Sequence, residues 1–574
     1  MKLSKLSLAA ATSALILTTP LAAFACGGFF CNNSDPVNQS AEDILFAVDG
    51  EEIEAHVAVQ YTGPSEEFAW IVPTPSRPEV GVSSTAVFRQ LNNVIGVRFN
   101  LTYREVGECD WDTRSGGAGG GGGDSFADAG TAEDGAGDPG VVVVEQSSVG
   151  PYDFAVLQAT GSEPLFEWLE ANDYDIPRGV MPFVEPYLLM DDDMHFVAFR
   201  LTKDADTGDI APVTLRYTAE QPVIPIQLTA VAADPDLGIR TFILGDHRSV
   251  PENYPHVHIN EARIDWLSGG SNYDAIVTEA MDEAGGQGFA TEYAGAASRM
   301  DDMFWNDMVA EVVESASMMT DPASYWDQMQ QALIRLGLQG DPAILDLLME
   351  FIPMPDRLVE DGVEPQWFYN CIGCYLEEGE LEDFDPEAFT AALDERIFEP
   401  MRHAQDLFDG AAYLTSLYTT MSPEEMTLDP AFTFNPDMDD VDNNHNAELI
   451  TDCGDGRRYE DAPRTLRLSD GREIRMGTWG ESWAGSGGGG DTADLAGLPA
   501  AERIEETGAS GQAVVIDDRT PEINAELEAH NEVYDAEVAR RDRNNDGCSA
   551  AGGGAGGAGA LALLGLAAAL RRRR

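Results

Sequence analysis

The pattern of apolar residues predicts an α+β protein: a β-rich N-terminal region over residues 26–268, a helical region over 269–426, then a C-terminal stalk and a single membrane or sorting helix. Three observations predict this. Apolar residues alternate with period two up to about residue 268, then recur at three and four spacing. The chain closes on an uncharged apolar run capped by four arginines, Arg571–Arg574. With 574 residues, 43% of them hydrophobic, the chain can bury several cores and is not disordered as a whole.

Residues 1–25 have the form of a secretory signal. Lys2 and Lys5 precede an apolar run from Leu6 to Leu17, and Ala23-Phe24-Ala25 supplies an A-x-A cleavage site. The run is shorter than the roughly 20 residues a bilayer span needs. Signal peptidase would cut after Ala25 and leave Cys26 first; lipid attachment there is the alternative, although Ala23 and Phe24 suit a lipobox poorly.

Strands follow. Ile44–Val48 and Ile53–Tyr61 flank Asp49-Gly50, a hairpin signal. In the second strand Ile53, Ala55, Val57, Val59 and Tyr61 share one face; Glu52, Glu54, His56 and Gln60 share the other, which places His56 toward solvent. Val97 to Arg104 alternates in the same way, and further strands are expected at Val141–Glu145, Phe196–Leu201, Val213–Tyr217, Ile224–Ala230 and Ile239–Leu244. His195 shares a face with Val197 and Phe199 and is expected in the core. Residues 115–140 form a glycine-rich acidic insertion to which no structure is assigned.

The helical period predicts helices over Asp274–Ala284, Trp305–Met318, Pro322–Leu336, Pro342–Phe351 and Pro386–Met421, several opening with Asp-Pro, in which Asp caps and Pro fills the first turn. Residues 427–484 hold an acidic loop and a second hairpin around Asp470-Gly471. Residues 485–547 read as linker and stalk, glycine-rich up to 519 and then helical from Thr520-Pro521, with Ile523, Leu527, Val533, Tyr534 and Val538 on one face.

The tail, residues 548–574, contains Cys548 and the uncharged span Ala550–Leu570, whose 21 residues just cross a hydrocarbon core with the arginines on the cytoplasmic side. Glycines soften that helix and suit cleavage within the membrane; a simple anchor or a glycine packing face is the alternative. Gly547-Cys548-Ser549, the Gly/Ala span and the arginine cluster resemble the MYXO-CTERM sorting signal. That resemblance implies an intramembrane protease of the myxosortase type as partner, with Cys548 at the processing site and display at the cell surface.

The body also resembles a known family, the bacterial domain of unknown function 2330. The matching stretches are Cys26-Gly27-Gly28-Phe29-Phe30-Cys31 with Pro36-Val37-Asn38-Gln39, Phe68-Ala69-Trp70-Ile71-Val72-Pro73-Thr74-Pro75, Val149-Gly150-Pro151-Tyr152-Asp153, Phe289-Ala290-Thr291-Glu292-Tyr293-Ala294 and Leu417-Tyr418-Thr419-Thr420-Met421-Ser422-Pro423. The resemblance implies export and assigns no catalytic residue.

Net charge is −67, and the chain has only three lysines, of which Lys203 alone lies in the body. Such a surface repels phosphate backbones, which excludes nucleic acid as a partner, and it is expected to gain stability with added salt. Leaving Cys548 to sorting, six cysteines remain (Cys26, Cys31, Cys109, Cys371, Cys374 and Cys453), an even set suited to disulfides in an oxidising compartment. The expected pairs are Cys371 with Cys374, and Cys26 or Cys31 with Cys109. The Cys371-Ile372-Gly373-Cys374 spacing also suits thiol–disulfide exchange.

Two metal readings stand beside these. His256 and His258, two apart on a strand, point their rings to one face, with Asp246 or His247 as candidate third ligand. Asp437, Asp439, Asp440, Asp442, Asn444 and Asn446 alternate carboxylates and amides as a calcium loop does, but His445 stands where an EF-hand turn needs glycine and Thr451 where it needs glutamate. No Gly-x-Ser-x-Gly elbow, phosphate loop or His-Glu-x-x-His occurs. The functional expectation is an exported, surface-associated, non-enzymatic envelope or adhesion protein; the alternative is an exported metal-dependent or thiol-redox enzyme.

Overall fold

The computed structural model describes residues 38–62, 68–110, 141–172, 174, 180–190, 194–202, 210–377, 380–381, 383–477, 495 and 497–548. Signal residues 1–25, the 115–140 insertion and tail residues 549–574 lie outside them. No helix among the described residues is long and apolar enough to cross a membrane.

The chain is a mixed α+β protein with several sheets. At its centre is a seven-stranded sheet in the order Ala290–Ala296, Tyr413–Met421, Ala233–Gly245, Asn38–Asp49, Glu52–Thr62, Val213–Thr218, Glu79–Val82. Only the pairing of Asn38–Asp49 with Ala233–Gly245 is parallel. Asp49 pairs with Glu52 across the expected hairpin, where Gly50 takes the left-handed φ of 64° that the turn requires.

Alternation along these strands sends two sets of side chains to opposite cores. Ile44, Phe46, Ile53, Ala55 and Val57 face a second, four-stranded antiparallel sheet and pack on its Trp70, Val72, Phe154, Val197 and Phe199. Leu45, Phe242, Leu244 and Leu414 face the other way, into a helical layer carrying Phe88, Leu91, Met329, Phe398 and Phe408. The outer face of the four-stranded sheet is covered in turn by helices Ser162–Ala171 and Met181–Met190 through Leu165, Phe166, Leu169 and Val184. The result is a helix–sheet–sheet–helix stack, and His195 is buried in it as expected.

The Asp-Pro helix starts form for the reason the sequence suggests. Carboxylates of Asp321, Asp341 and Asp385 accept from the backbone N–H of Ser324, Ala343 and Glu387 at 2.8, 2.9 and 3.0 Å, with proline in the first turn of each helix. Three segments differ from expectation. Residues 413–421, expected as the end of a long helix, form a central strand after helix Glu399–Gly410. Ile224–Ala230, expected as a strand, holds the short helix Ile226–Thr229 behind Pro225. Residues 501–518, expected as linker, supply strands Ala501–Glu506 and Val514–Asp518, which extend strand His256–Ile259 into a three-stranded sheet.

A third core joins that small sheet to another, in which Arg98–Asp110 runs parallel to Asn444–Arg458 and the hairpin Arg464–Leu468/Glu473–Met476 closes the edge. Helix Tyr273–Glu283 and the first turns of Thr520–Cys548 seal it, the latter through buried Ile523 and Leu527. The expected stalk helix is therefore docked on the body at its start, while Val533 is exposed.

Candidate functional site

Among the described residues, two sets of imidazole and carboxylate groups bring their ligand atoms within 4.8 Å of one another: His256, His258 and Glu505, and Glu54, His56 and His403.

The first set stands on two antiparallel strands. His256 pairs with Glu505 and His258 with Arg503, so all four side chains project from one face of the ribbon, while Val257 packs into the core on the other. The two rings meet edge to face at 4.6 Å. His258 Nε2 lies 2.9 Å from Glu505 Oε2, and His256 Nδ1 lies 3.8 Å from the same oxygen. Arg503 donates to His258 Nε2 at 3.1 Å and pairs with Glu505 Oε1. On the inner side, His256 Nε2 contacts Thr291 Oγ1 at 2.9 Å, which also accepts from Arg248. Burial pushes His256 down to about 4 and lowers His258, while the two imidazoles and Arg503 hold Glu505 down to about 2. At neutral pH the set is two neutral imidazoles and an ionised carboxylate. The third member is Glu505, not Asp246 or His247, which sit exposed at the turn between Ala233–Gly245 and Arg248–Pro251.

The second set overturns the solvent-facing assignment of His56, which is 1% exposed. Glu54 and His56 on the polar face of strand Glu52–Thr62 are buried against helix Glu399–Gly410, while Glu52 and Gln60 of that face are exposed. Glu54 Oε1 sits 3.0 Å from His56 Nε2 and 2.5 Å from His403 Nε2, and Glu54 Oε2 accepts from Arg216 at 2.6 and 3.2 Å. His56 Nδ1 reaches Ser83 Oγ at 3.0 Å, and the two rings stack at 5.9 Å. Burial alone would raise the Glu54 carboxyl, but the bonds from His403, His56 and Arg216 hold it far below its usual range; the bond to Glu54 raises His403. With both carboxylate oxygens of Glu54 and both ring nitrogens of His56 partnered, this cluster is a clamp between sheet and helix.

The residues that build these layers and both imidazole strands fall within one family match. The model of DUF2330, an uncharacterized protein conserved in bacteria, matches residues 20–433. The chain belongs to the DUF2330 family. No curated protein and no solved structure matches it. The DUF2330 match ends before Cys453, Arg503 and Glu505, so the chain completes both the first cluster and its long disulfide from outside the matched region.

In this DUF2330 chain the acidic loop does not converge on one centre. Asp437 accepts from Gly511 N, Asp439 offers its backbone oxygen to Arg248, Asp440 accepts from Tyr413 and Asp442 accepts from Asn444. Asn444 and Asn446 donate within the loop, and buried Asn443 ties it to the oxygens of Val94 and Gly96. The carboxylates of Asp437, Asp440 and Asp442 each accept from a different protein partner.

Cys371 and Cys374 are bonded to each other, with Cys374 exposed. Cys109 is bonded to Cys453 across 344 residues of sequence, not to Cys26 or Cys31. The parallel register of their two strands, Gly107 opposite Gly454, brings the sulfurs together. Cys26, Cys31 and Ala25 lie outside the described residues, and Cys548 ends the last described helix.

Proposed function

We propose that the chain is an exported, surface-associated envelope protein with a structural or adhesive, non-enzymatic role. The Cys109–Cys453 cystine carries this reading, because a bond that closes so long a loop with Cys453 wholly buried suits an oxidising compartment and a body built to persist there. The signal pattern of residues 1–25 and the sorting pattern of residues 548–574 agree with it. Signal peptidase, the export machinery and a myxosortase-type protease are the partners this reading requires. Surface biotinylation and fractionation of cells expressing the full chain or a chain ending at residue 547 test it. The full chain should label on intact cells and the truncated chain should appear in the medium; retention of both in the cytosol would refute the proposal. The exposed Cys374 favours thiol–disulfide exchange as the second reading. Turnover of a model disulfide, lost in Cys374→Ser, would support it over the first.

A further inference from the structure

His256 Nδ1 is a buried polar atom without a hydrogen-bond partner. Neither tautomer repairs this. Arg248, which can only donate, already occupies one side of Thr291 Oγ1 at 3.1 Å. If His256 carries its proton on Nε2, it donates to the remaining lone pair of that hydroxyl. Nδ1 is then bare and faces Glu505 Oε2, two electron-rich atoms 3.8 Å apart with no hydrogen between them. If the proton is on Nδ1, 3.8 Å is too long for it to bond. Leaving such a group unsatisfied costs about 1–3 kcal/mol, so its position beside a carboxylate calls for a cation.

The neighbouring ring, that of His258, already faces one. Its Nε2 lies 3.1 Å from Arg503, which can only donate, and 2.9 Å from the ionised Glu505 carboxylate, which can only accept, so this one nitrogen cannot satisfy both neighbours. We propose that His256 Nδ1, His258 Nε2 and Glu505 form a binding site for a divalent transition-metal ion of the zinc type, and that the Arg503 guanidinium is the placeholder cation the metal displaces. Two imidazoles and a carboxylate are a zinc donor set. Bonds of about 2.0–2.2 Å in tetrahedral arrangement separate ligand atoms by roughly 3.3–3.5 Å, and the observed separations of 2.9 and 3.8 Å bracket that span.

The surroundings suit the assignment. Thr291 contacts the other ring nitrogen of His256, Nε2, and is itself held by Arg248, which donates to the Asp439 carbonyl, a chain that fixes the ring. The His258 and Arg503 side chains are 38% and 40% exposed, so an ion can enter and the guanidinium can swing out into water. Because Glu505 comes from the strand beyond the family match, a bound ion would also fasten that strand to the body.

The test titrates zinc calorimetrically into the purified mature chain after chelator treatment, with cobalt(II) absorption as an independent readout of tetrahedral geometry. One equivalent should bind that disappears, with the cobalt bands, in Glu505→Gln and in His258→Gln. The latter residue is partly exposed, so that variant keeps the test valid if the Glu505 variant fails to fold. The His56→Gln/His403→Gln pair should retain the equivalent, and Arg503→Met should bind about tenfold more tightly because the competing cation is gone. Absence of binding, or an equivalent that survives both ligand variants as the sole one, overturns the site. Weaker binding in Arg503→Met overturns the displacement.

Discussion

Replacing Glu54 with glutamine should loosen the helical layer from the central sheet. The carboxylate has a 9% exposed side chain and receives His56, His403 and both Arg216 contacts, so the amide would lose the charge that three donors share. Breaking a buried ion pair costs about 3–5 kcal/mol. Arg216 and His403 reach solvent, with side chains 49% and 39% exposed, and rehydrate in part, which puts the expected cost near the lower end, about 3 kcal/mol. That is roughly a hundredfold in local opening. Hydrogen exchange of the helix Glu399–Gly410 amides reads it directly, with the outer helices Ser162–Ala171 and Met181–Met190 as internal control. The pH dependence follows from the two shifts. His403 is raised, so its contribution is complete below its ordinary value of 6.5 and is lost as pH climbs through the folded value. Glu54 is depressed, so its contribution is complete above its ordinary 4.5 and is lost as pH falls toward the folded value. Protection in the wild type should therefore peak between these values, and Glu54→Gln should flatten the profile. Wild-type protection of that helix in the variant, at any pH in the window, would refute the clamp.

Other expectations concern the long disulfide and the strands that carry it. Cys109→Ser/Cys453→Ser frees a loop of 344 residues. Chain entropy puts the upper limit of the loss near 6 kcal/mol, so urea unfolding followed by tryptophan fluorescence should shift to clearly lower denaturant; an unchanged midpoint would mean the bond constrains nothing. Gly107 has φ of 84°, and a Cβ there would meet the Gly454 carbonyl oxygen at 2.2 Å. Gly107→Ala should cost about 2 kcal/mol or more by the same assay, and a neutral result would contradict the close approach of the two strands.

Where the sequence was readable, one physical pattern acted alone. The Asp-Pro helix starts and the Asp49-Gly50 turn are set by local chemistry, and they formed where expected. The strand Tyr413–Met421 reads as helix because Leu414, Leu417, Tyr418 and Met421 fall at helical spacing; it is buried on both faces, so no alternation survives. Its polar residues find partners that sequence spacing cannot reveal: Thr415 accepts from Ser249 N, and Ser416 bonds Glu292. His56 reads as solvent-facing because its strand face is polar, and nothing local announces His403, which reaches Glu54 from 349 residues away, as its cover. Glu505 was hidden in a stretch whose flanking glycines read as linker. The His256–His258 pair itself was legible, since strand period two sets both rings on one face whatever lies opposite.

The proposed export requires a body oxidised outside the cytoplasm and closed by its long cystine. Non-reducing peptide mapping of the protein taken from the envelope fraction, with free thiols blocked at lysis, tests it most directly. Linked peptides containing Cys109 with Cys453 and Cys371 with Cys374, from a chain beginning at Cys26, are expected. Blocked, unlinked Cys109 and Cys453 in a chain that still carries residues 1–25 would contradict it.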